Sequence, residues 1–263
     1  MLKREFKINF KSFLIWTSVL IGLFLVVYLM YPSITKSDSI QMIDEMMAMF
    51  PEEVLVAFNM DISSMDTAYG WLKTEGFVFT LIIIGVYAGI LGSSILLKEE
   101  SDKTIEYLNS LPIKRGTILI HKVICGVIYI ILMVVAISIF NYIGLKLSGE
   151  FDVKQYFLLS ITPLFSALPL FAITLFISTF FHKTKKTFGI GLGMAIISYF
   201  VQVLAEMNEK AEFLKYFTVY TLSDIRNVII ENTINPLMIV LSVFITVLFI
   251  VFSYIEYARK ELV

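Results

Sequence analysis

The sequence predicts an all-α membrane protein whose single domain, residues 1–263, crosses the bilayer six times. Of its 263 residues, 58% are hydrophobic and only 16% are charged, whereas a soluble domain carries about 25% charged residues. The apolar residues fall into six runs of about 20 residues, which is the length that crosses a bilayer as a helix. The connections between these runs also alternate in charge, as expected for a chain that changes side at every crossing.

The six predicted spans carry few groups that could do chemistry. They contain no Asp, Glu, Lys or Arg apart from Lys122, which lies with His121 near the edge of the third span. Ion-coupled carriers need ionisable groups at membrane depth, so a secondary carrier or membrane-embedded enzyme is disfavoured. The chain also lacks a GxxxxGK[ST] phosphate loop. The spans cover roughly residues 13–31, 77–97, 118–145, 157–181, 188–205 and 237–255.

The loop charges predict that both termini lie in the cytoplasm. Segments 1–12, 98–117 with residues 121–122, 182–187 and 256–263 hold 14 Lys and Arg against 7 Asp and Glu. The three intervening connections hold 7 Lys and Arg against 15 Asp and Glu. Basic residues accumulate on the cytoplasmic side, so the first set of segments is predicted inside and the second outside.

Residues 1–12 are predicted to form an amphipathic helix on the inner face of the membrane. Apolar residues recur at helical spacing, and lysines recur one step out of phase, as in helices that lie on an anionic leaflet. The alternative is a positive flank that only orients the first span. The residues of this pattern are Leu2, Lys3, Phe6, Lys7, Phe10 and Lys11.

Two connections are predicted to form helical segments on the outer side. Residues 32–76 are acidic and hold six of the twelve methionines, which suit either a contact with a greasy substrate or a helix resting on the outer interface. Residues 206–236 hold a cluster of aromatic side chains, which favour the headgroup level. Both segments are therefore expected to lie near the outer leaflet.

Small residues predict close helix packing at two spans. The second span carries Gly85, Gly89 and Gly92, and the fifth carries Gly189 and Gly193. Such spacings let helix backbones approach closely, either within one subunit or between two subunits. In the fourth span Pro163 and Pro169 predict bends. Its hydroxyl side chains could either line a pathway or bond to the helix backbone.

A polar segment, residues 98–117, separates the second and third spans. Glu99 and Glu100 stand where a helix begins, which the helix dipole favours. Pro112 ends this helix and opens the next one, and Arg115 follows it at the inner surface. We expect a short cytoplasmic helix, a sharp corner and a return to the membrane, in a form that could dock in the groove of a soluble protein.

This segment resembles the permease subunits of bacterial type-2 ABC exporters. In that family an apolar span leads into Glu-Glu and then into Thr-x-Glu-x-Leu-x-Ser-x-Pro-x-x-Arg before the next span. Two positions depart from the family pattern: Lys103 replaces a usual Gly, and Val219 replaces a usual Pro in a later stretch. The matching residues are Glu99, Glu100, Thr104, Glu106, Leu108, Ser110, Pro112 and Arg115.

The resemblance implies a division of labour between subunits. The permease would bind no cofactor, while two partner ABC ATPase subunits would hold ATP and Mg. A second permease copy or a paralogous permease would complete the complex in the bacterial cell membrane, with no nucleic acid involved. The pathway would export a hydrophobic or amphipathic substrate such as a peptide, an antibiotic or a lipid. The alternative is a non-transport membrane partner of a sensing or immunity system.

Overall fold

The computed structural model describes residues 1–34, 49, 67–102, 114–207 and 209–260, which are helical almost throughout. Six helices in the described ranges are long and apolar enough to cross a membrane, namely α1, α2, α4, α5, α6 and α8. The predicted fold class is thereby confirmed. The helices are α1 (Leu2–Ile34), α2 (Ala68–Ile95), α3 (Lys98–Ser101), α4 (Arg115–Ser148), α5 (Val153–Ser178), α6 (Thr184–Met207), α7 (Ile225–Glu231) and α8 (Pro236–Arg259), with 3-10 helices at Glu209–Phe217 and Tyr220–Ser223.

Polar caps fix where several of these helices begin. The Asp152 side chain accepts a hydrogen bond from the backbone N–H of Gln155 at 3.1 Å and starts α5. Asn235 caps α8 in the same way, with Pro236 at the first helical position, where its fixed φ favours the helix. Gly149 follows α4 with a φ of 151°, a conformation that glycine adopts without steric cost. These residues therefore mark where the long helices begin and end.

The first helix is longer than predicted. The amphipathic segment and the first span form one unbroken helix, α1, from Leu2 to Ile34. At 1.5 Å per residue, its 33 residues extend about 50 Å, against about 30 Å for a hydrocarbon core. Its sequence contains no glycine or proline before Gly22, so nothing ends the helix between the basic segment and the span.

The two central helices are α2 and α5, which are largely buried, whereas α1, α6 and α8 expose most of their surface. Gly92 of α2 packs against the backbone of Phe171 in α5, and Gly89 meets Gly191 of α6 backbone to backbone. A Cβ atom at either glycine would overlap the neighbouring helix. By contrast, Gly189 and Gly193 face open space within the chain. The second-span glycines therefore act within the subunit.

The hydroxyl groups of α5 mostly bond to their own helix. Thr162, Ser166, Thr174 and Ser178 each donate to a carbonyl three or four residues earlier, at 2.7–3.2 Å. These bonds agree with the interpretation in which the hydroxyl groups bond to the helix backbone. The helix is continuous through both of its prolines.

One end of the bundle holds the N-terminus and the end of α8, and we call it the terminal end. It includes the start of α1, α3, the start of α4, the connection from α5 to α6, and Lys260 after α8. The opposite, distal end holds the end of α1, the connection from α4 to α5, and the segment from Glu209 to Asn235. Contacts between side chains far apart in the sequence hold the terminal end together.

Candidate functional site

Lys122 of α4 lies at the centre of the terminal end and is completely buried. Its Nζ donates to Glu99 Oε2 at 2.8 Å, to Glu5 Oε2 at 3.1 Å and to the Ile95 carbonyl at 2.8 Å. Lys122 thus joins α1, the end of α2 and the first turn of the polar segment. Its ammonium group points inward, to buried carboxylates that neutralise it.

A second ion cluster surrounds Glu100, which is 7% exposed. Its Oε1 accepts a hydrogen bond from Lys260 Nζ at 2.7 Å, and its Oε2 lies 2.8 Å from Nδ1 of His182. Lys260 also donates to the Phe181 carbonyl at 2.5 Å. The cluster joins α3 to the connection after α5 and to the residue that follows α8.

Further hydrogen bonds tie the same turn to its surroundings. Lys98 Nζ donates to Asn9 Oδ1 of α1 at 2.6 Å, and Thr184 of α6 donates to Ser101 at 2.8 Å. On the other side of the polar segment, Arg115 Nη1 donates to the carbonyl of Lys260 at 2.6 Å. We call these bonds and the two ion clusters the clamp. Both flanks of the polar segment are therefore fastened to the transmembrane bundle.

Burial sets the electrostatics of the clamp. It lowers the pKa of Lys98, and the like charge of Lys122 lowers it further, while the carboxylates of Glu5 and Glu99 act in the opposite direction. Burial also lowers the pKa of Lys260, against the raising effect of its bond to Glu100. Desolvation is thus the larger influence on both lysines, as expected where charges leave water. The nearby carboxylates oppose this effect at both lysines.

The structure describes three of the eight predicted coupling residues. Glu99, Glu100 and Arg115 lie in the clamp, where both carboxylates are turned into the chain and away from solvent. Their role in coupling stays a prediction, but the contacts they make are internal. The other predicted residues, Thr104, Glu106, Leu108, Ser110 and Pro112, lie outside the described residues.

The N-terminal pattern is partly reproduced. Lys3, Lys7 and Lys11 are exposed, and Leu2 and Phe6 pack against the core, but Phe10 is half exposed. The most deeply buried positions of this segment are polar, namely Glu5 and Asn9. The apolar stripe therefore describes only part of the face that contacts the bundle.

Sequence reasoning missed several clamp residues, among them Glu5, Asn9, His182 and Lys260. One signal could have found the first of them. Lys122 was the single charge inside a predicted span, and a buried charge requires a partner. Glu5 is the only acidic residue among the first twelve, which makes it a natural candidate for that partner.

The charged side chains of the clamp bond mainly to one another and to backbone carbonyls. Among the described residues there is no group of three or more His, Cys, Asp or Glu side chains that could hold a metal ion. The acidic and basic side chains of the clamp form ion pairs with one another. Breaking such buried pairs is costly, so the two flanks of the polar segment and the helices fastened to them are expected to move together.

Comparison with known proteins gives one match. A family model described as "ABC-2 family transporter protein" matches residues 1–262. No curated protein and no solved structure is significantly similar to the chain.

Proposed function

We propose, because the chain belongs to the ABC-2 transporter family, that it is the membrane-spanning permease subunit of an ATP-driven exporter in the bacterial cell membrane. In this proposal the terminal end faces the cytoplasm, and residues 98–117 receive movement from two separate ABC ATPase subunits. A second copy of the chain or a paralogous permease completes the pathway. The cargo is a hydrophobic or amphipathic molecule, and this chain holds no ATP or Mg itself.

The observation that carries the coupling proposal is the clamp. The turn of α3 that opens the polar segment is joined to α1 through Glu5 and Asn9, to α4 through Lys122, and to the residue after α8 through Lys260. A push on residues 98–117 therefore reaches several spans at once. A segment that merely connected two spans would not require buried ion pairs at its flank, because surface loops are ordinarily solvated.

We propose separate tasks for the predicted coupling residues. Glu99, Glu100 and Arg115 fix the segment to the bundle, since their partners lie in this chain. In this proposal the residues between these anchors contact the ATPase, and Leu108 is the side chain to test. We therefore expect variants of the anchor residues and variants of the residues between them to have different phenotypes.

The test is purification of the tagged full-length chain from its native membranes in a mild detergent. We expect a subunit with a nucleotide-binding loop to co-purify in near-equal amount and to show vanadate-sensitive ATP hydrolysis. Leu108→Glu should remove that subunit, because a charge would then face an apolar groove. The matched control is Glu231→Lys on α7, an exposed residue at the distal end.

Anchor variants separate docking from coupling. Glu100→Gln should leave the ATPase bound but weaken the response of its hydrolysis to cargo, because the segment would dock without moving the spans. A stable complex that contains no ATPase would contradict the proposal and favour the alternative of a non-transport membrane partner. The same conclusion would follow if Leu108→Glu behaved like the control.

A further inference from the structure

A cavity of about 1030 Å³ opens at the distal end of the bundle. It lies between α6 and α8, with α2 and α5 behind it and the segment from Glu212 to Arg226 across its top. Along α8 it is lined from Leu237 to Phe249, which corresponds to roughly 18 Å of helix. Its volume is at the upper limit of the range for small-molecule sites.

The wall of this cavity changes character along its length. The deep part is apolar, with Leu81, Ile173, Ile245 and Phe249. The part nearest the distal end carries polar groups from α6 and from the overlying segment, including Gln202 and Glu206. A cavity that is apolar at one end and polar at the other suits an amphiphile.

The polar end carries an excess of carboxylates. Glu206, Glu212 and Asp224 line it, against Lys215 and Arg226. Lys215 forms an ion pair with Glu212, with 2.5 Å between Lys215 Nζ and Glu212 Oε1. The remaining charged groups in the lining are two carboxylates, Glu206 and Asp224, and one arginine, Arg226. The balance favours a cation in the cavity.

Glu206 is held in place at this end. Gln202 donates to its Oε1 at 2.5 Å, and Gln202 in turn accepts a hydrogen bond from Thr221 at 2.6 Å. This chain of bonds fixes the carboxylate beside the cavity, where Arg226 is close enough to act on it electrostatically. With Asp224 in the same lining, the two carboxylates outnumber that arginine.

A second carboxylate and an aromatic ring lie close by. The ring of Tyr199 lines the cavity, and both Glu206 and Glu75 are near enough to act on it electrostatically. Glu75 Oε1 is buried and has no hydrogen-bond partner among the described residues. An aromatic face beside carboxylates is a setting that binds ammonium and guanidinium groups. Glu75 also belongs to a π-helical turn, Leu72–Gly76, and such turns frequently mark functional sites.

We propose that this cavity binds the cargo and that the cargo is a cationic amphiphile, with its apolar part along α8 and its cationic head beside Glu206 and Tyr199. This rests on the proposed export function and narrows its substrate class. The alternative occupant with the same head chemistry is a bilayer lipid that carries an ammonium group. The experiment must therefore separate charge recognition from membrane partitioning, and cargo from lipid.

The test is titration of a fluorescent alkyl-trimethylammonium probe into nanodiscs that contain the full-length chain in phosphatidylglycerol, with empty nanodiscs as background. We expect saturable binding that a neutral glucoside with the same alkyl chain and fluorophore does not match. Glu206→Gln should weaken the affinity for the cationic probe about tenfold, which is the effect of losing one charge-assisted contact. The affinity for the neutral probe should stay unchanged. The matched control, Glu231→Gln, removes an acid that does not line the cavity and should leave both affinities unchanged.

Two further arms make the outcome decisive. Ile245→Trp fills the apolar part of the cavity, and a variant that melts with the wild type should bind both probes less well. Equal binding of the two probes to the wild type would overturn the proposal, as would an unchanged cationic affinity in Glu206→Gln. Competition by phosphatidylethanolamine at bilayer concentrations would assign the cavity to a lipid and would also overturn it. Because no ATPase or nucleotide is present, failure here is distinguishable from failure of the coupling function.

Discussion

Replacing Lys122 by methionine tests how far the stability of the protein depends on the ion pairs of this buried lysine. At about 3 Å and an effective dielectric constant near 20, each ion pair contributes roughly 5 kcal/mol of attraction, offset by several kcal/mol of desolvation per ion. Lys122→Met removes the attraction but leaves Glu5 and Glu99 buried, at a cost of about 3–5 kcal/mol. Arg4 Nη2 lies 3.9 Å from Glu99 Oε1 and compensates part of that charge, so we expect about 3 kcal/mol.

The measurement is thermal unfolding of the purified chain in detergent. For a protein of this size, 1 kcal/mol lowers the Tm by roughly 2–4 °C, so Lys122→Met should melt about 6–12 °C below the wild type. The triple variant Glu5→Gln, Glu99→Gln, Lys122→Met leaves no member of that cluster charged and should recover at least half of the loss. The control, Lys185→Met, alters an exposed lysine of α6 and should melt within about 1 °C of the wild type.

Two results would refute this reasoning. If Lys122→Met melted with the wild type, the buried carboxylates would not depend on the lysine. If the triple variant melted no higher than the single variant, the loss would come from the packing of the lysine stem and not from unpaired charge.

Two further pairs of variants test the packing and the second ion cluster. Gly191→Ala should lower stability by about 1–3 kcal/mol, because its Cβ would overlap the backbone of α2. Gly193→Ala adds a Cβ in open space and should be neutral or stabilising by up to about 1 kcal/mol. Thermal unfolding in detergent measures both variants, and equal effects would contradict the close approach of Gly191 to α2. Lys260→Met should destabilise by about 3 kcal/mol, because His182 would be the one ion-pair partner of the buried Glu100 left among the described residues. Adding Glu100→Gln should restore most of that loss, and a double variant no more stable than the single one would count against the pairing.

The six spans could be predicted because each is a local property of the sequence. A run of about 20 apolar residues must form a helix in a bilayer, since no water is present to satisfy the backbone. Pattern reasoning placed the ends of α2 and α6 less well, because polar residues such as Glu75 and Glu206 extend the helices beyond the apolar runs. Composition identifies the membrane core but not the turns that project past it.

The clamp could not be predicted because its partners are distant in sequence. Lys122 and Glu5 are 117 residues apart, and Lys260 and Glu100 are 160 apart. Charge counts placed these residues at one end of the bundle but could not say which faced one another. The glycines show the same limit. Spacing alone treated Gly89 and Gly193 alike, and only the crossing of α2 with α6 distinguishes them.

Helix α6 takes part in both the clamp and the distal cavity, which gives the proposed coupling a physical route. Thr184 at the start of α6 bonds to α3, and Glu206 near its end lines the cavity. Between them Gly191 packs backbone to backbone on Gly89, about 10 Å of helix from Thr184 and about 22 Å from Glu206. If α6 tilts as a rigid rod about this contact, a shift at the clamp is roughly doubled at the cavity. Under the proposed function Gly191→Ala should therefore impair coupling even in preparations that remain folded, whereas Gly193→Ala should not.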